Sequence, residues 1–515
     1  MHHPPTKGSH TMQPAAMQPA AMEPAAMEPA AVAETHISVL FSFGDRVVKV
    51  RKPVRFGFLD FTRLEARAED CRREVELNRR LAPDVYLGTA EVRMGGDVVE
   101  HAVVMRRLPA ARNLGRLAAT GADLHAEIPL IAGALAAFHA GARRSEEISD
   151  AATAAALGQR WRIDAGEVAR FVGPVLDPGL HRHTVELAER YLAGRGELFE
   201  HRIATGQVCD GHGDLQAGDI FCLDDGPRIL DCLEFDDRLR YGDVLADVAF
   251  LAMDLERLGR PEAARQLLDR YRRESGSAFP DSLAHFYVAA RAHVRMLVAC
   301  LRAEQDGRTD GGAAHALLEL AHRHLLEGRV RLVLVGGLPG VGKSTVAEAV
   351  GRAIGADVLS TDRTRRSLSA GPEGGGGSRG GGGGEARYSE AARAAVYAAL
   401  LDEAATRLHG GRSVVIDATW ASGARRHQAR TTALRTWADV TEIRLDCPAD
   451  VARERIAARL AVGGGDSEAT VEVAEQMAER FDPWPSARVL DTAGPAQEVR
   501  ALAVALVTGP EEATG

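Results

Sequence analysis

Val330-Arg331-Leu332-Val333-Leu334-Val335-Gly336-Gly337-Leu338-Pro339-Gly340-Val341-Gly342-Lys343-Ser344-Thr345 is the stretch that decides the fold of the C-terminal half of this 515-residue chain. Its first six positions are an apolar run carrying one Arg, the pattern of a buried parallel strand. A glycine-rich turn follows. Gly337-Leu338-Pro339-Gly340-Val341-Gly342-Lys343-Ser344-Thr345 satisfies G-x-x-x-x-G-K-[ST] at every fixed position. The glycines let backbone N–H groups turn inward around phosphate oxygens, and the helix expected from about Lys343 adds its positive dipole end. Lys343 is then expected to neutralise the β- and γ-oxygens during transfer, and the Ser344 hydroxyl to bind Mg²⁺.

Working outward, Ser413-Val414-Val415-Ile416-Asp417 reads as a second apolar strand ending in a carboxylate, the place for a further Mg²⁺ ligand. Asp357–Leu359 is another short strand, followed by Ser360-Thr361-Asp362-Arg363-Thr364-Arg365. Asp362 is placed to take a proton from a substrate hydroxyl, with Arg365 or Arg366 holding an anionic group. Arg455 and Arg459 lie four apart on one helical face and are expected to close over the transferring phosphate. With a strand around Thr441–Leu445 and intervening helices, this half is predicted to be a three-layer α/β/α domain with a parallel sheet.

A second set of phosphate-handling residues lies upstream. His212-Gly213-Asp214-Leu215, with Asp219 and Asp231 behind it, has the spacing of a protein-kinase-type catalytic loop followed by a metal-binding Asp. Asp214 would accept the acceptor's proton. Asp219 and Asp231 lie on either side of a hairpin turning at Asp224-Asp225-Gly226 and can converge on one metal cluster; His212 reads as an organiser of the loop. Lysine usage supports two sites. Only Lys7, Lys49, Lys52 and Lys343 are lysine, and a compact ammonium suits crowded phosphate oxygens better than a planar guanidinium. Lys49, oriented by Glu74 from the helix expected over Leu64–Leu81, would bind the α- and β-phosphates, with Lys52 as the alternative. Strand-like stretches at Ile37–Phe41, Arg46–Val50, Val85–Val92 and Val98–Met105 precede helices from Leu114 onward, an α+β small lobe followed by a helical lobe.

The N-terminal half resembles the aminoglycoside-phosphotransferase-like kinases, in particular a bacterial branch fused to a P-loop kinase domain. Glu34-Thr35-His36-Ile37-Ser38, Lys52-Pro53-Val54, Phe56-Gly57-Phe58-Leu59-Asp60-Phe61, Leu77–Pro83, Glu234-Phe235, Asp243 and Asp247 carry that resemblance. The C-terminal half is similar to P-loop kinases related to gluconate kinase, zeta-toxin-type kinases and polynucleotide 5′-hydroxyl kinases, through the P-loop, Asp362 with Arg365, Asp417-Ala418-Thr419, Leu445-Asp446-Cys447-Pro448 and the Arg455/Arg459 pair. The resemblance implies a bilobal kinase-like domain over 34–327, a P-loop kinase domain over 328–510, and ATP with Mg²⁺ at both. One departure stands out: the kinase-like family carries Asn where this chain has Asp219. A carboxylate still binds Mg²⁺, but it cannot donate the hydrogen bond an amide gives the loop.

The remainder of the sequence sets limits. Residues 12–31 repeat Met-(Gln/Glu)-Pro-Ala-Ala four times, with proline breaking helix and little apolar bulk to pack, so residues 1–33 read as a disordered tail. Gly371–Gly384 is almost pure glycine and reads as a flexible insertion. A net charge of −9 and an aromatic content of 5% argue against a nucleic-acid partner. Six scattered cysteines without a C-x-x-C pair fit a reduced, cytoplasmic protein, and no apolar run suggests a membrane span. The leading expectation is an ATP-dependent kinase with two nucleotide sites acting on a hydroxyl of a small molecule. The alternatives are a single P-loop activity with a regulatory kinase-like domain, a nucleic-acid-end or toxin-like kinase, and an ATP-dependent scaffold.

Overall fold

The computed structural model describes residues 29–35, 37–56, 59–307, 311–369, 390–462 and 470–509. The repeats through residue 28, the glycine-rich insertion 371–384 and Gly57-Phe58 lie outside these residues. The chain packs as two compact units that do not follow chain order: Met1–Ala142 with Asp210–Arg240 and Leu258–Glu274, and Arg143–Cys209 with Tyr241–Arg257 and Ser275–Gly515.

The first unit holds an antiparallel sheet of β1 (Ala31–Glu34), β2 (Ser38–Phe43), β3 (Arg46–Arg51), β4 (Tyr86–Met94) and β5 (Asp97–Arg106) in the order β1-β2-β3-β5-β4. The first strand begins at Ala31, three residues before the expected start at Glu34, because Ala31–Glu34 extends the sheet along β2 from Ser42 back to Val39. The helix Leu64–Asn78 packs on β4 and β5 over a core of Cys71, Val75, Val85, Tyr86, Val103 and Met105. That helix buries Asp70 and Glu74, and β3 buries Lys49 and Arg51. The spacings match. Four residues of helix rise about 6 Å and two residues of strand about 6.8 Å, so two carboxylates meet two cations in register. The hairpin of β6 (Ile220–Leu223) and β7 (Gly226–Ile229) completes the part of this unit that carries the site.

The second unit combines a helical region with a parallel sheet. Helices Asp281–Gln305 and Gly312–Glu327 pack against one another, and Val244–Arg257 is buried along most of its length. Tyr191 stacks on Phe286 with ring centroids 4.8 Å apart, and Trp161 on His293 at 4.7 Å. The sheet contains β8 (Arg331–Gly336), β9 (Asp357–Ser360), β10 (Val414–Asp417), β11 (Asp439–Asp446) and β12 (Arg488–Asp491), all parallel, in the order β9-β10-β8-β11-β12. Val333 and Val335 face the helices Lys343–Ala353 and Ala496–Thr508, while Leu332, Leu334, Val414 and Ile416 are fully buried on the opposite face. Both faces are covered, as a parallel sheet requires. The fifth strand, β12, had no signal in the sequence: it is an edge strand in which only Leu490 is buried.

Several contacts among the described residues tie the helical region to the sheet domain. The buried Arg195 donates to Thr436 O at 2.7 Å, Arg190 pairs with Asp439 at 2.7 Å, and Ser282 Oγ donates to Gly411 O at 2.6 Å. Trp437, at φ 52°, lies so close to Gly194 that a Cβ there would stand 2.8 Å from the Trp437 Cβ. Among the described residues no helix is long and apolar enough to cross a membrane.

Candidate active sites

Strand β8 is central in its sheet, with β10 and β11 on either side, so the loop leaving its carboxyl end opens at the topological switch point where α/β sheets bind ligands. Gly337, Gly340 and Gly342 have φ of 137°, 86° and 91°. A Cβ on Gly337 would meet Leu445 O at 2.4 Å, and one on Gly340 would meet Ala452 O at 2.6 Å. Glycine is required at both by conformation and by space. Gly342 stands at the N-cap of the helix Lys343–Ala353, Val341 anchors the loop in the core, and Leu338 O accepts a 2.9 Å hydrogen bond from Lys343 Nζ.

Ser344 Oγ donates to Asp417 Oδ2 at 2.6 Å, joining the loop to the end of β10. Burial raises the Asp417 pKa, and Lys343 and Ser344 oppose that rise. Burial lowers the Lys343 pKa, against the pull of Asp417 and Asp362 and with help from Arg459. Lys343, Ser344, Asp417, Asp362 and Arg459 therefore share one electrostatic neighbourhood. Asp362 and Arg365 form an ion pair of 2.9 Å with each other. The two expected helix arginines separate: Arg459 acts on Lys343, whereas Arg455 donates to Thr492 O at 2.8 Å and ties its helix to the residue after β12.

Beside Asp417 lies a group the sequence did not single out. The Tyr397 hydroxyl is 3.3 Å from Thr419 Oγ1 and accepts from Trp420 N at 3.3 Å, with the Arg425 guanidinium 4.7 Å over its ring. Trp420 has φ 51° and is fully buried. The positive-φ Trp and its Tyr partner set the exit of β10, and neither residue type announces that role in a sequence.

In the first unit, Lys49 Nζ bonds Glu74 Oε1 at 2.8 Å and Asp231 Oδ1 at 2.9 Å. Burial opposes the Lys49 charge, but Asp231 and Glu74 outweigh it and raise the lysine pKa well above its ordinary value. Lys49 correspondingly lowers the Asp231 pKa. Lys52 is not the partner of Glu74; it bonds Thr35 O at 2.5 Å and pairs with Glu34. Arg51 lies beneath Lys49, bonding Asp70 at 2.5 Å, Glu74 at 2.7 Å and Glu234. Burial pushes Glu234 up to about 8, against the effect of Arg51. The signal for Arg51 was its position two residues after Lys49 on one strand face.

The loop before the hairpin is held by its backbone. Gly213 has φ 90°, with Leu239 O where a Cβ would stand at 3.1 Å. His212 Nε2 bonds Leu230 O at 3.0 Å, the organising contact expected of it, and Gln216 donates to Asp214 Oδ2 at 2.9 Å. Leu230 N donates to Asp219 O at 2.9 Å, which brings Asp219 and Asp231 to the open end of the hairpin. Asn113 Nδ2 donates to Gly218 O at 2.6 Å and reaches Ile220 O at 3.4 Å, securing the chain on both sides of Asp219. Asp231 has φ 63°, and its N–H donates to the Tyr86 hydroxyl at 3.2 Å.

Residues 332–484 match the family model of an AAA domain, AAA_33. The chain is 40% identical to "Uncharacterized protein Rv2004c" of Mycobacterium tuberculosis (strain ATCC 25618 / H37Rv) over 465 residues, covering 90% of this chain and 92% of the relative. The same values hold for "Uncharacterized protein Mb2027c" of Mycobacterium bovis. Among solved structures it is similar to the GDP and kanamycin complex of APH(2")-IIia, with 17% identity, 58% of this chain, 94% of that chain and a TM-score of 0.38. It is also similar to the Mycobacterium tuberculosis APS kinase CysC in complex with AMPPNP and APS, with 23% identity, 35% of this chain, 98% of that chain and a TM-score of 0.27.

Proposed function

This chain belongs to the same family as the mycobacterial protein Rv2004c, and we propose that it joins an aminoglycoside-phosphotransferase-like kinase domain to a P-loop kinase domain and acts as an ATP-dependent phosphotransferase on a small-molecule hydroxyl. The observation that carries this reading is the 2.6 Å contact of Ser344 with Asp417 beside Lys343. A hydroxyl and a carboxylate are hard oxygen donors and fit Mg²⁺, with Ser344 holding the ion and Asp417 behind it. An ion held there by Ser344 would supply charge neutralisation to the β- and γ-phosphates. The glycine turn offers its N–H groups to the phosphates, and Lys343 exchanges its carbonyl partner for phosphate oxygens. Asp362 takes the proton of the acceptor hydroxyl. Arg365, paired to Asp362, turns to an anionic group on the acceptor.

The kinase-like domain supplies the second site in this proposal. Lys49, held by Glu74, binds α- and β-phosphates; Asp231 and Asp219 hold Mg²⁺; Asp214 takes the acceptor proton. Asp219 supports a second reading, in which this domain binds nucleotide or ligand and regulates a single P-loop activity. Its charge adds repulsion beside the phosphates and removes an amide donor.

An acceptor screen reading ADP release in wild type, Lys343→Ala and Asp214→Ala tests both. Two working sites predict that each variant loses a different activity. One activity lost only in Lys343→Ala selects the regulatory reading, and a wild-type protein whose ADP release no hydroxyl compound stimulates overturns the transferase proposal.

A further inference from the structure

Two histidine rings meet where the helical region leads into β8. His285 lies on Asp281–Gln305 and His324 on Gly312–Glu327, and their Nδ1 atoms stand 2.9 Å apart. Glu327, three residues after His324, brings a carboxylate oxygen to 3.6 Å from His285 Nδ1. The three ligand atoms lie within 4.8 Å of one another. We propose that His285, His324 and Glu327 hold one zinc-type divalent cation at the base of the strand that carries the phosphate loop.

The surroundings suit a metal ion. His324 Nε2 lies 3.1 Å from Glu256 Oε2, and Arg323 donates to the same oxygen at 2.7 Å. A carboxylate accepting from one ring nitrogen fixes the proton there and leaves the other nitrogen as a lone pair, the usual outer support of a metal-bound histidine. The His324 lone pair therefore points at His285 Nδ1. The His285 tautomer protonated at Nε2 presents a second lone pair to the same point. Tetrahedral ligands at about 2.0–2.1 Å from zinc stand about 3.3 Å apart, so the pair opens by only ~0.4 Å to admit the ion. The other close histidine pair, His183 with His322 at 3.0 Å, has no third donor of this kind among the described residues.

Two imidazoles and one carboxylate form a borderline set that prefers zinc-like ions to Mg²⁺ or Ca²⁺, which seek oxygen. His324 is buried while Glu327 is half exposed, so solvent can supply a fourth ligand. Gly328 follows directly, and a Cβ there would stand 2.8 Å from the His285 Cβ. The site thus joins the end of Gly312–Glu327 to Asp281–Gln305, and β8 starts four residues after Glu327. This inference is independent of the proposed transferase activity.

The test uses full-length protein, EDTA-treated, desalted and free of Mg²⁺ and nucleotide, titrated with Co²⁺ by visible absorption and with Zn²⁺ by calorimetry. Expected is one equivalent of Co²⁺ with tetrahedral bands, displaced by Zn²⁺. Its affinity falls at least tenfold in His285→Ala and in Glu327→Gln, and is unchanged in Asp417→Asn. Glu327→Gln alters an exposed side chain and leaves the fold intact, which circular dichroism verifies. Absence of a tetrahedral Co²⁺ species at micromolar concentrations, wild-type affinity in both site variants, or its loss in Asp417→Asn overturns the proposal.

Discussion

Lys49 Nζ lies 2.9 Å from Asp231 Oδ1, joining the central strand of the small sheet to a residue two positions past the hairpin of β6 and β7. The same ammonium bonds Glu74, whose side chain is fully buried. Removing one partner of a buried ion pair strands the other charge. Lys49→Met is expected to destabilise the first unit by about 3–5 kcal/mol, less whatever Arg51 recovers by its own bond to Glu74. Denaturant midpoints measure the loss. Lys52→Met, which removes a partner only of Thr35 and Glu34, should change stability by about 1 kcal/mol or less. Equal effects of the two would contradict the assignment of Lys49.

Asp219 sits in a loop whose flanking carbonyls Asn113 already secures. Asp219→Asn should therefore keep the loop geometry, remove the carboxylate charge from the proposed nucleotide site and supply an amide donor. ATP turnover assigned to the kinase-like domain is expected to rise several-fold, while Asp214→Ala abolishes it. If Asp219→Asn leaves turnover unchanged and Asp214→Ala still abolishes it, the carboxylate at 219 is no handicap.

Gly340 combines φ 86° with a carbonyl 2.6 Å from where a Cβ would stand, while Gly342 has φ 91° and open space. Gly340→Ala incurs both backbone strain and a clash, and should cost about 1–3 kcal/mol and most nucleotide binding. Gly342→Ala meets the conformational cost alone, so thermal melting should place it nearer wild type. The reverse order in a melting series would show that the close approach of Ala452 is not limiting.

His293 is fully buried against Trp161, and among the described residues neither ring nitrogen has a hydrogen-bond partner. Burial lowers its pKa to about 4 from 6.5. The folded protein thus binds fewer protons than the unfolded chain between these values. Its stability is full above about pH 6.5 and falls as pH drops towards 4, by roughly 3 kcal/mol at most. Urea midpoints of wild type and His293→Phe between pH 7 and 4.5 should converge on this sign: the wild type loses more stability with acid. Parallel curves would remove His293 as the source.

Much of the second unit was readable because its signals are local. The loop Gly337–Thr345 needs particular residues at fixed spacing, and an apolar run before it can only be a buried strand. The matching of Asp70 and Glu74 with Lys49 and Arg51 was half legible: the Lys and one Glu stood out, while Arg51 hid among the many arginines. Edge strand β12 buries one side chain and left no pattern to find.

Sequence alone determined where the chain makes its glycine turn at Gly337–Gly342, because motif spacing encodes backbone conformation directly. It also limited the lysine partner of Glu74 to Lys49 or Lys52, which share one short stretch. Tertiary structure decided between them, since only packing of the helix Leu64–Asn78 on the sheet chooses which ammonium reaches Glu74. It likewise separated Arg455 from Arg459 and brought His285 to His324, contacts between distant segments that no local pattern records.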